Sequence, residues 1–378
     1  MATTVLNAMA KWAVKLDGGA LPPAVDARCR LQLLHIGAQI HASPPNPSLR
    51  SAGPTRGPAR LCGGGSTNAV TATRVHAARA AASDRLDYGL GGSTGVGAVA
   101  ASMALSKGKT LGDALGAIAA ANEIAGRVGA SMAFGPSHGA GNGWVHTLSA
   151  AVAAGRMLSL SELQLAHAMA LALGSGGAIP RSTLASAARS PVIGMAAGRG
   201  VEAALLAAKG VQGQLDVLES PGGLLEVGCW LPLHHAFTGL GEAWLTETVA
   251  FPRWPGPAAW HAAIDCVEEI LARHVKAADK RLRTDQVLDI TVRVPAPAVV
   301  LDRWMARHGL PEPAGLAHSV RHAIGALVAN HEFSVASPVE SNERIGSTAS
   351  KVRVEHDLGL TMDFVPTRWI RFSRSSGA

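Results

Sequence analysis

From Thr67 to about Gly213 the chain is one helix-forming run after another, rich in alanine and punctuated by glycine. No other feature constrains the fold as much. Alanine has the highest helix propensity of any residue, and small side chains let neighbouring helices approach closely. The predicted helices cover residues 97–107, 111–127, 147–157, 161–173 and 194–209, and Pro191 interrupts the stretch before the last of them. Ser159-Leu160-Ser161-Glu162 places N-cap hydroxyls ahead of the fourth. Two further helical patterns occupy residues 1–42, with Leu21-Pro22-Pro23 as the turn that opens the second. Val25, Leu31, Leu34 and Ile36 form its predicted apolar side. Residues 43–66, rich in Pro, Gly and Ser, are expected to be a long loop.

The composition agrees with this pattern. Hydrophobic residues make up 48% and charged residues 16%, against roughly 25% charged in an average domain, which excludes disorder. A mainly β protein would need more Val, Ile, Tyr and Thr.

The pattern changes after about Ala250. Phe251 to Pro257 holds three prolines and reads as a stiff connector. A helix over 258–275, a period-two strand over 286–294, a helix over 315–329 and a second strand over 351–355 follow. The predicted fold is mainly α: a large all-helical domain over residues 1–250 and a smaller α+β domain over 251–378.

The net charge is +7, yet the basic residues are scattered apart from Lys280-Arg281-Leu282-Arg283 and a stretch at 368–374. With only 4% aromatics there is no stacking platform, so an anionic small molecule is a better partner than nucleic acid. Cys29, Cys62, Cys229 and Cys266 form no C-x-x-C pair and read as small buried hydrophobes in a reducing compartment. The N-terminus lacks a basic region followed by an apolar run, and no uncharged apolar stretch is long enough to span a membrane. A cytoplasmic protein with no membrane partner is expected.

Few motifs carry chemistry unaided. Gly91-Gly92-Ser93-Thr94-Gly95-Val96-Gly97 has the look of a phosphate loop but lacks its Lys-Ser/Thr, so tight packing is the better reading. His138 and His146 have no carboxylate at helical spacing, and His234-His235 reads as a loop feature, so no metal is expected.

Several segments, in order through nearly the whole chain, resemble the MmgE/PrpD family. They are Leu21-Pro22-Pro23-Ala24-Val25 with Leu33-Leu34-His35-Ile36-Gly37, Leu86-Asp87-Tyr88, Ala125-Gly126-Arg127-Val128-Gly129 and Gly143-Trp144-Val145-His146-Thr147. Gly194 to Gly210 with Leu218-Glu219, Trp254-Pro255 with His261 to Asp265, and Ala317 to His322 complete the set. The resemblance implies a large helical domain, a small α+β lid whose extreme C-terminus returns to the helical domain, an active site between the two, and a homodimer. It also implies chemistry without metal or organic cofactor, by an Asp, a Thr and His residues as proton handlers, Lys residues holding carboxylates, and a lid Tyr.

Carried over residue by residue, the family's Asp falls on Asp87, next to Tyr88. The motif His falls on Val145, with His146 adjacent and Thr147 kept. The first Lys falls on Arg189, the second on Pro252 beside Arg253, and the lid Tyr on His322. The implied catalytic residues are therefore Asp87, His146 and His322. Tyr88, Thr147, Arg189, Arg253 and His138 are the implied substrate-binding residues. Arg189 keeps a positive charge and gains two-pronged carboxylate geometry. Fewer Lys and His in the pocket favour a less anionic substrate, as in specialised metabolism.

The expected function is a cofactor-independent lyase, most simply a dehydratase of a hydroxylated carboxylic acid. An isomerase, epimerase or cyclase using the same proton transfer is the second reading. A non-catalytic ligand-binding relative is the third.

Overall fold

The computed structural model describes residues 4–43, 56–133, 142–308, 318–333 and 343–364. The chain forms two compact units, Met1–Pro252 and Arg253–Ala378.

In the first unit the helices are α1 (Val5–Lys15), α2 (Pro23–Ala42), α3 (Ala69–Ala82), α4 (Gly95–Ala104), α5 (Leu111–Ser131), α6 (Asn142–Met157), α7 (Glu162–Ser175), the short α8 (Arg181–Leu184), α9 (Arg189–Ala208) and the short α10 (Leu224–Gly228). The mainly α fold expected from the sequence is what the chain adopts. Thr110 and Asp113 close a capping box at the start of α5, and Ser161 and Gln164 do the same for α7, so both helices begin where orphan backbone N–H groups find side-chain acceptors.

α5 is the centre of this unit and is buried on nearly every side from Leu115 to Val128. It packs on α6, α6 packs on α9, and α9 on α3. Glycine sets the closest approaches: a Cβ at Gly97 would lie 2.5 Å from the His146 carbonyl oxygen, and one at Gly200 would lie 2.1 Å from that of Thr147. α9 begins at Arg189 with Pro191 in its first turn, where the missing N–H costs no hydrogen bond. Pro191 therefore does not interrupt this helix. Among the described residues α9 alone is long and apolar enough to cross a membrane, and 56% of that stretch is buried inside the unit.

Two expectations are corrected. In α2 the buried face is Val25, Cys29, Gln32, Ile36 and Ile40, while Leu31 and Leu34 are exposed. The buried positions follow one helical stripe that contains a polar residue, Gln32, and that polar residue masked the stripe. The stretch over 43–66 is not all loop: Ala59–Arg60 (β1) and Ser66–Thr67 (β2) pair antiparallel across a turn whose Gly63, Gly64 and Gly65 all have positive φ.

The second unit has its own core around Trp260, Ile264, Ile324, Phe333, Ile345 and Val352. It contains α11 (His261–Ala278), β3 (Ile290–Val294), α12 (Ala296–His308), α13 (Val320–Asn330), α14 (Glu343–Ala349), β4 (Val352–His356) and α15 (Leu358–Phe364). β3 and β4 pair in parallel with Ile290 opposite Val352 and Val294 opposite His356. Parallel strands need a long crossover, and helices occupy the connection. β3 is shorter than expected because Thr284–Gln286 form a 3-10 turn. The first residues of the expected helix over 315–329, and the extreme C-terminus, lie outside the described residues.

Candidate active site

Asp87 lies in front of α4 and is fully buried. Its Oδ1 accepts a hydrogen bond from Ser93 Oγ at 2.8 Å. Its Oδ2 accepts from Gln32 Nε2 at 2.8 Å and from the Gly95 N–H at 2.9 Å. That N–H belongs to the first turn of α4, where a carboxylate is favoured by the helix dipole. A Cβ at position 95 would stand 2.7 Å from Gln32 Nε2 and 2.9 Å from each Asp87 oxygen, so only glycine fits. Behind Asp87, Gln32 and Asn122 exchange two side-chain bonds, Gln32 Nε2 to Asn122 Oδ1 at 3.1 Å and Asn122 Nδ2 to Gln32 Oε1 at 2.8 Å. Thr94 Oγ1 donates to Asn122 Oδ1 at 2.6 Å. Because Asn122 holds the Gln32 oxygen, Gln32 turns its NH2 toward Asp87. Burial raises the Asp87 pKa, against the opposing pull of the Gln32, Gly95 and Ser93 donors.

His146, on α6, is also fully buried. Burial lowers its pKa to about 4, with a smaller opposing effect from the Ser93 backbone. Its Nδ1 is buried without a hydrogen-bond partner among the described residues. Buried polar atoms left unpaired are rare and call for an explanation. Two of the three catalytic residues expected from the sequence thus meet at one loop residue: Ser93 bonds Asp87 through its hydroxyl and faces the His146 ring through its backbone.

A segment near the end of the first unit covers the Asp87 loop. Tyr88 and Ala250 form an antiparallel bridge, N–H to O at 3.0 and 2.7 Å. Glu123 of α5 holds this segment down: Oε1 accepts from the Thr246 N–H and Oγ1, both at 2.8 Å, and Oε2 accepts from the Leu245 N–H at 3.1 Å. Arg127 bonds the carbonyls of Ala236, Thr238, Gly239 and Ala243 and pairs with Glu123 at 3.2 Å. Between the segment and the loop a cavity of about 10 Å3 remains, lined by Thr94, Asn122, Gly126, Thr248 and their neighbours. That is space for about one water molecule. The larger hollow, about 440 Å3, lies around Leu225, Cys229, Trp230 and His234 and is lined by none of the residues expected in the site.

The remaining expected residues are placed as follows. Thr147 is fully buried and its hydroxyl donates to the Gly143 carbonyl at 2.8 Å. Tyr88 is half-buried. Arg189 already holds a carboxylate: its NH1 is 2.8 Å from Asp84 Oδ2, and its NH2 reaches the Ala81 carbonyl at the end of α3 at 3.4 Å. In the second unit, His322 is buried in the first turn of α13. Arg253 is exposed, pairs with Glu268 through both terminal nitrogens, and lies 4.5 Å over the Trp254 ring. His138 lies outside the described residues. Among the described residues no three His, Cys, Asp or Glu side chains are grouped to hold a metal.

Sequence reasoning missed Gln32, Ser93, Thr94, Asn122 and Glu123. The available signal was a polar side chain on an otherwise apolar helical stripe: Gln32 between Cys29 and Ile36, and Asn122-Glu123 within the run from Ala119 to Ala125.

A 153-residue stretch is 32% identical to human (Homo sapiens) cis-aconitate decarboxylase; it covers 40% of this chain and 31% of that relative's length. The model of the MmgE/PrpD N-terminal domain matches residues 7–229. That match takes in Gln32, Asp87, Ser93, Asn122 and His146, the whole of the buried polar cluster, and by it the chain belongs to the MmgE/PrpD family.

Proposed function

We propose that the protein is a cofactor-independent lyase acting on a carboxylic acid, most simply a dehydratase of a hydroxylated one, with Asp87 and His146 as its proton handlers. The observation that carries this reading is the buried His146 ring with a vacant Nδ1, joined to a buried Asp87 through Ser93. Removing the elements of water from a hydroxy acid needs a base for an acidic Cα–H and an acid for the departing hydroxide. Burial keeps the His146 imidazole neutral near pH 7, so it is the proton acceptor. Burial raises the Asp87 pKa against the Gln32, Gly95 and Ser93 donors, and Asp87 is the second proton handler of the pair. Developing charge on the substrate would meet the N-terminal end of α4. The human relative is by name a decarboxylase of cis-aconitate, which supports a carboxylic-acid substrate and sets the starting panel.

The test is incubation in D2O with citrate, cis-aconitate and other hydroxylated or unsaturated acids, followed by NMR. Loss of water from a hydroxylated acid, read as the vinyl signal of the unsaturated product, or addition of D2O across an unsaturated one is expected. In a folded Asp87→Asn or His146→Asn protein turnover falls by roughly 10²-fold or more, the range of general acid–base contributions. Deuterium uptake without loss of water makes the protein an isomerase, release of CO2 makes it a decarboxylating lyase, and none of these across the panel removes the catalytic reading.

A further inference from the structure

Cys62 stands in the β1–β2 turn, outside the Asp87 cluster, and its chemistry is unused by the reading above. Its Sγ lies 3.6 Å from Nδ1 of His41, an exposed residue in the last turn of α2. A nucleophile within reach of a base is the starting arrangement of an activated thiol. Arg79 holds both residues through their backbones. Its NH1 donates to the Cys62 carbonyl, and its NH2 donates to the carbonyls of His41 at 3.1 Å and Ser43 at 2.6 Å. One guanidinium therefore fixes the backbones of both partners. The Cys62 N–H is held as well, by Nε2 of His76 at 3.2 Å.

A second observation concerns charge. Arg79 is 5% exposed, and among the described residues its partners are carbonyls; no carboxylate balances it. Buried charges are ordinarily paired. The guanidinium lies close to the turn, where a Cβ on Gly63 would stand 3.2 Å from its NH1. An anion at Cys62, whether its own thiolate or a group on an incoming molecule, supplies the missing partner. Among the described residues, a Cβ on Gly64 would meet nothing within 4 Å. The other cysteines lack this setting. Cys29 is buried with its thiol pushed up to about 12, and the buried Cys229 donates Sγ–H to the Leu225 carbonyl. Cys266 is exposed.

We propose that Cys62 and His41, beside the unbalanced Arg79, form a reactive-thiol site that takes up low-molecular-weight disulfides bearing carboxylates. The Cys62 thiol passes its proton to His41 Nδ1, and the thiolate attacks one sulfur of the disulfide. A Cys62 mixed disulfide forms, the original S–S bond breaks, and the released half leaves as a thiolate that takes the proton from His41. The disulfide is the oxidant, and no other co-reactant is needed.

The test uses the full chain, glutathione disulfide as the anionic probe and cystamine as the cationic one, with adducts located by peptide mass mapping. Each Cys62 rate is taken relative to Cys266 in the same sample. Glutathione disulfide is expected to modify Cys62 about tenfold faster than Cys266 near pH 7, and this ratio is expected to exceed that for cystamine. His41→Ala, an exposed substitution, should bring Cys62 down to the Cys266 rate with the circular dichroism spectrum unchanged. Equal rates at the two cysteines, a Cys62 rate unaltered in His41→Ala, or no preference for the anionic probe overturns the proposal.

Discussion

His146 and His76 sit where an imidazolium cannot be solvated, and burial brings each pKa from 6.5 down to about 4. The folded state therefore binds fewer protons than the unfolded chain across that interval. Stability is complete above pH 6.5 and is lost as the pH falls toward 4, at up to about 1.4 kcal/mol per pH unit for each ring. Urea titrations at successive pH values should show this slope, and His146→Asn should remove one ring's share of it. Arg189 belongs to the same scale. The family resemblance places a substrate-holding cation there, yet the guanidinium is 2.8 Å from Asp84 with both side chains about nine-tenths buried. Arg189→Ala should cost about 3 kcal/mol, because it strands a buried carboxylate. A double-mutant cycle with Asp84→Ala, read by thermal unfolding, should return most of that loss as coupling.

At the scale of elements, α5 organises the site through neighbouring polar residues within its buried stretch. Asn122 faces the Asp87 network, while Glu123 and Arg127 fasten the covering segment from Ala236 to Thr246. Arg127→Met leaves four carbonyls without their donor, and the segment should open to chymotrypsin at Phe237 and Trp244 while the rest of the unit stays resistant. The loop before α4 is fitted to the same helix by glycine. A Cβ at Gly91 would fall 1.8 Å from the Gly126 carbonyl oxygen, whereas one at Gly126 would meet nothing closer than 3.7 Å. Gly91→Ala should therefore lower the melting temperature sharply, by several kcal/mol of stability. Gly126→Ala, by the same measurement, should be tolerated and can even stabilise α5 by about 1 kcal/mol through helix propensity.

At the scale of the whole molecule, the chain carries two separate hydrophobic cores, one within Met1–Pro252 and one within Arg253–Ala378. Ile324→Ala removes a fully buried side chain from the second core, at a cost of about 2–5 kcal/mol. Scanning calorimetry should show one transition moving to lower temperature and another staying in place. A single transition that moves as a whole would mean that the two units unfold together.

The sequence by itself determined the helices, because alanine-rich runs, Ser161 and Thr110 caps and glycine breaks act within a few residues of one another. It also carried the family, since the ordered segments from Leu21 to Glu219 lie within the span the family model matches, and it offered Asp87 and His146 as candidates. It did not reveal what surrounds them. Asp87 draws Gln32 from 55 positions away, and Gln32 draws Asn122 from 90. Burial of those three polar groups depends on helix packing that no local pattern encodes. The same holds for the ion pair of Arg189 with Asp84 at 2.8 Å, which no local pattern encodes. Only the tertiary structure decides which charges are already paired and which ring nitrogen is left open, because partners distant in sequence and the exclusion of water set both.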